Sequence, residues 1–198
     1  MQDPHELGPC NTTMAEYASC GETVKFQLPD CAATAALGAA IGRAFSAGMV
    51  YLYGDLGAGK TSMVRALLRS RGVEGAVRSP TYTLVETYET DTGRVFHLDL
   101  YRLAEPEELH FIGLDELEAA DLLTLVEWPE RGSGVLPAAD LVVRLEHCNF
   151  PGEGGSAIDA TDPADSPRHV ELEPRSDSSA ESLRRALSLL DIPSCSSK

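Results

Sequence analysis

Residues 49–62 read MVYLYGDLGAGKTS. The first five, Met49 to Tyr53, form a short, nearly all-apolar run that suits a strand covered on both faces. It leads directly into Gly54-Asp55-Leu56-Gly57-Ala58-Gly59-Lys60-Thr61, which fits the pattern G-x-x-x-x-G-K-[ST]. A helical pattern follows at once, with Met63, Val64, Leu67 and Leu68 at helical spacing. Strand, Gly-rich turn and helix in unbroken succession are the context of a phosphate-binding loop; without it the motif would be a Gly-rich turn with a solvated lysine. Glycines let backbone N–H groups turn inward around phosphate oxygens, and the following helix N-terminus adds partial positive charge. Residues 54–62, through Ser62, are therefore the candidate nucleotide-binding segment. Lys60 is placed to reach the β and γ phosphates, and the Thr61 hydroxyl to coordinate Mg2+.

Outward from this centre, residues 24–28 (VKFQL) alternate like a half-buried strand, and an Ala-rich helix is expected from Asp30, its N-cap, to Ala47, with Gly48 placed to end it. Residues 82–89 and 94–100 read as an antiparallel hairpin around the turn Thr90-Asp91-Thr92-Gly93. Short helices are expected at Glu105–Leu109 and Leu114–Ala120, strands at 122–126 and 140–147, a returning strand at His169–Glu173 and a helix at Glu181–Leu190. The fold class is α/β, a P-loop NTPase with a mostly parallel central sheet, an inserted antiparallel hairpin and helices on both faces. The organisation read from composition is a flexible N-terminal extension over 1–22, a core over 23–148, a flexible Gly/Pro/Ala/Ser/Asp-rich insertion over 149–167, and a closing strand, helix and tail over 168–198.

A phosphate-binding loop needs acids to complete a metal site and direct water. Asp99 in VFHLDLYR and Glu127 in LLTLVEWPE each end an apolar strand, where a carboxylate faces the crevice beside the loop. Lys60, Asp99 and Glu127 are thus the candidate catalytic residues. Ser79-Pro80-Thr81-Tyr82 is either a plain lead into the hairpin or a switch segment whose Thr81 hydroxyl approaches the γ-phosphate or metal. Trp128, the only tryptophan, packs either in the core or at the nucleotide or a partner surface. His97 shares a strand face with Asp99 and reads as a packed histidine rather than a ligand.

The 198 residues are enough to bury a core, and 43% hydrophobic with 24% charged is globular composition. With 31 acids against 16 bases the net charge is −15. So acidic a surface repels polyphosphate and argues against direct nucleic-acid binding. Residues 24–148 carry −7 of it and each end −4. Five scattered cysteines without a C-x-x-C pair disfavour a zinc site or a disulfide scaffold, and no run approaches a membrane span. A cytoplasmic protein is expected.

Taken in order and spacing, GDLGAGKTS, SPTYTLVETYE, HLDLYRL and LVEWPER resemble the TsaE family of bacterial ATPases in tRNA threonylcarbamoyladenosine (t6A) modification. The likeness spans about residues 24–148, with RHVELEPRSDSSAESLRRAL similar to the family's closing strand and helix. The resemblance implies weak intrinsic ATP hydrolysis and action on TsaD-like and TsaB-like partners rather than on tRNA. It implies Mg2+ held by Thr61 and Glu127, Asp99 as the second essential acid, and Asp30 or Thr34 near the base or ribose. Which acid binds metal and which orients water stays open. A small-molecule kinase on the same scaffold and a nucleotide-dependent regulatory subunit that does not hydrolyse are the competing readings. The first is weakened by the lack of an Arg-rich lid segment, and the absence of N-K-x-D leans toward ATP over GTP.

Overall fold

A computed structural model describes residues 18–77, 79–80, 83–112, 122–148 and 166–190. In chain order the elements are β1 (Val24–Leu28), α1 (Cys31–Ala44), β2 (Gly48–Tyr53), α2 (Lys60–Ser70), β3 (Val85–Thr90), β4 (Gly93–Asp99), β5 (Leu122–Glu127), β6 (Leu141–His147), β7 (Arg168–Pro174) and α3 (Asp177–Ser188). Two 3₁₀ segments, Pro106–Ile112 and Pro129–Gly132, lie before and after β5. The strands form one sheet in the order β1-β7-β6-β2-β5-β4-β3. β6, β2, β5 and β4 are parallel neighbours. β3 pairs antiparallel with β4, and β7 runs antiparallel between β6 and β1, so five of the seven strands point the same way.

The apolar runs of β2 and β5 take the middle because both of their faces are covered. On one face Val50, Leu52, Leu123 and Leu125 join Leu37 and Ile41 of α1, Met63 and Leu67 of α2, and Leu183 and Leu187 of α3 in one apolar cluster. On the other, Met49, Phe96, Leu98, Leu122 and Val126 pack under Leu103 and Leu109, with Val135 and Leu136 at the margin. Among the described residues, that second face is covered by the 3₁₀ segments and their flanks. Pro106–Ile112 stands where a helix is expected over Glu105–Leu109, and the helix expected at Leu114–Ala120 lies outside the described residues.

Several boundaries differ from the sequence reading: the helix expected at Glu181–Leu190 runs from Asp177 to Ser188, and the strand expected over 82–89 runs from Val85 to Thr90. α1 stops at Ala44 rather than Ala47, and Gly48 begins β2 instead of ending the helix. There Asp140 Oδ2 accepts the Met49 N–H at 2.8 Å, which draws the segment into the sheet. Residues 18–22, assigned to the extension, belong with the core. Ala18 is buried, its carbonyl accepts from Arg184 at 2.7 Å, and the Gly21 N–H reaches the Pro174 carbonyl at 2.8 Å. Likewise Pro167, placed in the insertion, extends the β6–β7 pairing by accepting from the Cys148 N–H at 3.0 Å. None of the described cysteines, Cys20, Cys31 and Cys148, is in a disulfide. No helix among the described residues is long and apolar enough to cross a membrane.

The α1–α2 contact sets the position of the phosphate loop, because α2 begins at the loop's end. Gly38 makes that contact close: a Cβ there would lie 2.3 Å from the Met63 carbonyl oxygen. Gly→Ala inside a helix ordinarily gains up to ~1 kcal/mol of propensity. Here overpacking against backbone reverses the sign, so Gly38→Ala is expected to destabilise by about 1–3 kcal/mol. Urea unfolding should show a lower midpoint at unchanged m-value; a higher midpoint would mean the helices separate freely.

Candidate functional site

The chain leaves β2 at Gly54, whose φ of +139° and whose approach to β6 require glycine: a Cβ would meet the Leu145 carbonyl oxygen at 2.2 Å. The loop then runs to Gly59, left-handed at φ +107°, which is the N-cap of α2 and brings no side-chain cap. Lys60 and Thr61 therefore open the helix, where first-turn amides and the helix dipole favour an anion. Lys60 Nζ donates to the carbonyls of Gly54 at 2.5 Å and Asp55 at 2.9 Å, and sits 3.9 Å from the centroid of the Trp128 ring. Burial pulls its pKa below the usual lysine range, while Glu127, Glu130, Asp99 and Asp55 pull it the other way.

The two acids stand side by side. Asp99 and Glu127 are register partners on β4 and β5, at the same end of the sheet as the loop. Their partners differ. Glu127, 2% exposed, accepts the Thr61 hydroxyl on Oε2 at 2.8 Å and meets His97 Nε2 on Oε1 at 2.9 Å. Asp99 accepts the Ser79 hydroxyl on Oδ2 at 2.5 Å and the Tyr101 N–H on Oδ1 at 3.2 Å. Glu127 thus belongs to the phosphate-loop side and Asp99 to the 79–84 side, where Leu84 takes a φ of +63°. Thr81 lies outside the described residues.

Trp128 follows Glu127 with φ +59°, an uncommon conformation for a bulky side chain. Its backbone N–H donates to the Leu52 carbonyl at 3.3 Å, and its ring meets both Lys60 and Tyr101, the Trp128 and Tyr101 ring centroids 5.0 Å apart. Trp128 is half-buried against the Met49, Leu98 and Val126 cluster and also lines the cleft beside the loop. Behind the loop, Arg168 Nε donates to the Ala58 carbonyl at 2.9 Å. The Thr34 methyl lies 3.3 Å from where a Gly59 Cβ would stand, so Thr34 abuts the loop. Asp30 is one turn earlier, its Oδ1 capping α1 by accepting the Ala33 N–H at 2.7 Å.

Leu56, Gly57, Gly59, Lys60, Thr61 and Ser62 line a cleft of about 500 Å3, shared with Asp99, Glu127, Trp128, Tyr101, Arg65, Arg102 and Ser79. Its donor set is oxygen-rich, a hydroxyl and a carboxylate already in contact, which suits a hard cation such as Mg2+. Among the described residues no group of three or more His, Cys, Asp or Glu could hold a metal unaided.

A family model described as "Threonylcarbamoyl adenosine biosynthesis protein TsaE" matches residues 28–151. The chain belongs to the TsaE family. A TsaE of Haemophilus influenzae, named a tRNA threonylcarbamoyladenosine biosynthesis protein, is 52% identical over 99 residues, covering 50% of this chain and 63% of that protein. The TsaE of Synechocystis is 40% identical over 113 residues, covering 55% and 72%. In fold, the crystal structure of Bacillus subtilis YdiB superposes with a TM-score of 0.63 at 22% identity, covering 83% of this chain and 94% of that one.

Lys60, Thr61, Asp99, Glu127 and Trp128 line one cleft. Unread in the sequence were the His97–Glu127 and Ser79–Asp99 bonds and the reach of Arg168 to the loop. His97 left a trace, since it shares a strand face with Asp99; Arg168 left none, being over 100 positions from its partner Ala58. Because Trp128 is the only tryptophan, its emission reports the Lys60 contact. Millimolar pyrophosphate, by drawing the ammonium toward phosphate, is expected to change that emission. In Lys60→Met the change should vanish; an unaltered wild-type spectrum at saturation would show that the lysine stays on the ring.

Proposed function

We propose that this TsaE-family chain is a Mg2+-dependent ATPase, weak alone, that serves t6A formation in the cytoplasm by acting on a TsaB- and TsaD-like complex through ATP binding and hydrolysis. What carries the reading is the meeting of Lys60, Thr61 and Glu127 at the start of α2, with the second acid, Asp99, one strand away. Residues 54–62 would bind the phosphates through backbone amides. Lys60 would exchange the Gly54 and Asp55 carbonyls for the β and γ phosphates. Thr61 and Glu127 would hold Mg2+, which supplies neutralisation of charge on the phosphoryl oxygens. Asp99, whose described bonds go to the Ser79 hydroxyl and the Tyr101 N–H, would be the acid that orients water. The net charge of −15 supports action on protein partners over contact with tRNA.

Phosphate release and multi-turnover t6A formation, each measured with and without the TsaB- and TsaD-like proteins of the same organism, test the reading. Lys60→Ala is expected to lower hydrolysis by ~100-fold or more. Asp99→Ala and Glu127→Ala should leave measurable nucleotide binding but stop turnover. Unchanged hydrolysis in all three variants ends the proposal. Partner binding that differs between ATP and ADP without phosphate release would mark a regulatory subunit instead.

A further inference from the structure

His97 is a fully buried imidazole on β4, its Nε2 2.9 Å from Glu127 Oε1, while Nδ1 has no hydrogen-bond partner among the described residues. An apolar residue of similar size would fill this place without an unsatisfied nitrogen, whose burial costs stability. What the imidazole adds over such a residue is one donor aimed at one carboxylate oxygen. A carboxylate accepts only, so Nε2 carries the hydrogen in this pair. With Oε1 tied to His97, rotation of the Glu127 carboxylate is arrested, and Oε2 is left directed at Thr61 and the cleft. Asp99, the neighbouring acid, has its own partners in Ser79 and the Tyr101 N–H, and among the described contacts none joins it to His97.

We infer that His97 is a positioning residue that sets the Glu127 carboxylate in the orientation needed to hold a divalent cation with Thr61. The inference rests on the Mg2+-nucleotide reading above. Outer partners that orient metal-binding groups typically govern affinity by 10–100-fold. His97 touches neither the phosphate loop's amides nor Lys60 in the described contacts, so its effect falls on the metal and spares the metal-free nucleotide.

Isothermal titration of the full chain with ATP, first in EDTA and then across a Mg2+ series, separates the two. In His97→Leu the Mg2+ concentration giving half of the metal-dependent gain in ATP affinity should rise by about 10–100-fold, with ATP affinity in EDTA held within about twofold. His97→Gln, which keeps a terminal N–H to reach Oε1, should restore most of the Mg2+ response. Should His97→Leu fail to fold, His97→Asn, polar but too short to reach Glu127, is expected to show the same Mg2+ defect. An unshifted Mg2+ midpoint in the folded non-donating variant overturns the inference. Equal loss in EDTA and in Mg2+ does so too, since it marks a purely structural role. A wild-type chain that binds no ATP in either condition would sink the functional reading itself, and this inference with it.

Discussion

Burial of one carboxylate governs this end of the sheet. An ionised side chain withdrawn from water costs several kcal/mol unless its oxygens are met by donors or cations. Glu127 is withdrawn almost completely, and its oxygens are met by Thr61 and by His97. Thr61 can serve only if α2 starts directly beneath the end of β5. That in turn requires the loop to leave β2 at Gly54, pressed against the Leu145 carbonyl. Loop, strand end and histidine are therefore parts of a single solution to one desolvation problem.

The asymmetry of the two faces follows from the same demand. α1, α2 and α3 share the face that bears Val50, Leu52, Leu123 and Leu125, and Glu127 continues that alternation to the C-terminal end of β5. A helix start on this face can meet an acid on this face. Among the described residues, the opposite face, with Met49, Leu122 and Val126, carries no buried strand-end acid and is met by 3₁₀ segments. Gly38 and Gly42 let α1 lie close enough to α2 to support the loop from behind, with the Thr34 methyl against Gly59.

Much of this was legible because local physics sets it. The apolar runs at 49–53 and 122–126, the glycines of 54–59 and the acids at strand ends each announce their place through periodicity or backbone demand. The six-residue register from Arg94↔Leu122 to Asp99↔Glu127 brought the two acids level, and neither run alone encodes that pairing. The end of α1 was misread because Gly48 looks like a helix stop, whereas its neighbour Met49 is claimed by Asp140, 91 positions away. The His97 bond was illegible for a related reason: β4 and β5 become neighbours only in the folded sheet, and the imidazole's partner sits 30 residues on.

The placement of β7 has a consequence for how the molecule is made. This strand fills the gap between β6 and β1, so Val24 to Leu28 have a sheet partner only once residues 168–172 exist. On a ribosome, β1 must therefore wait as an unpaired edge through most of synthesis, and pairing across so long a separation is entropically slow. The phosphate loop waits too, since Arg168, which steadies the Ala58 carbonyl, comes from the first residue of that late strand. Nascent chains should thus acquire a finished 54–59 loop in one late step, and stalled ones would expose the flank of β6 to pairing with other chains.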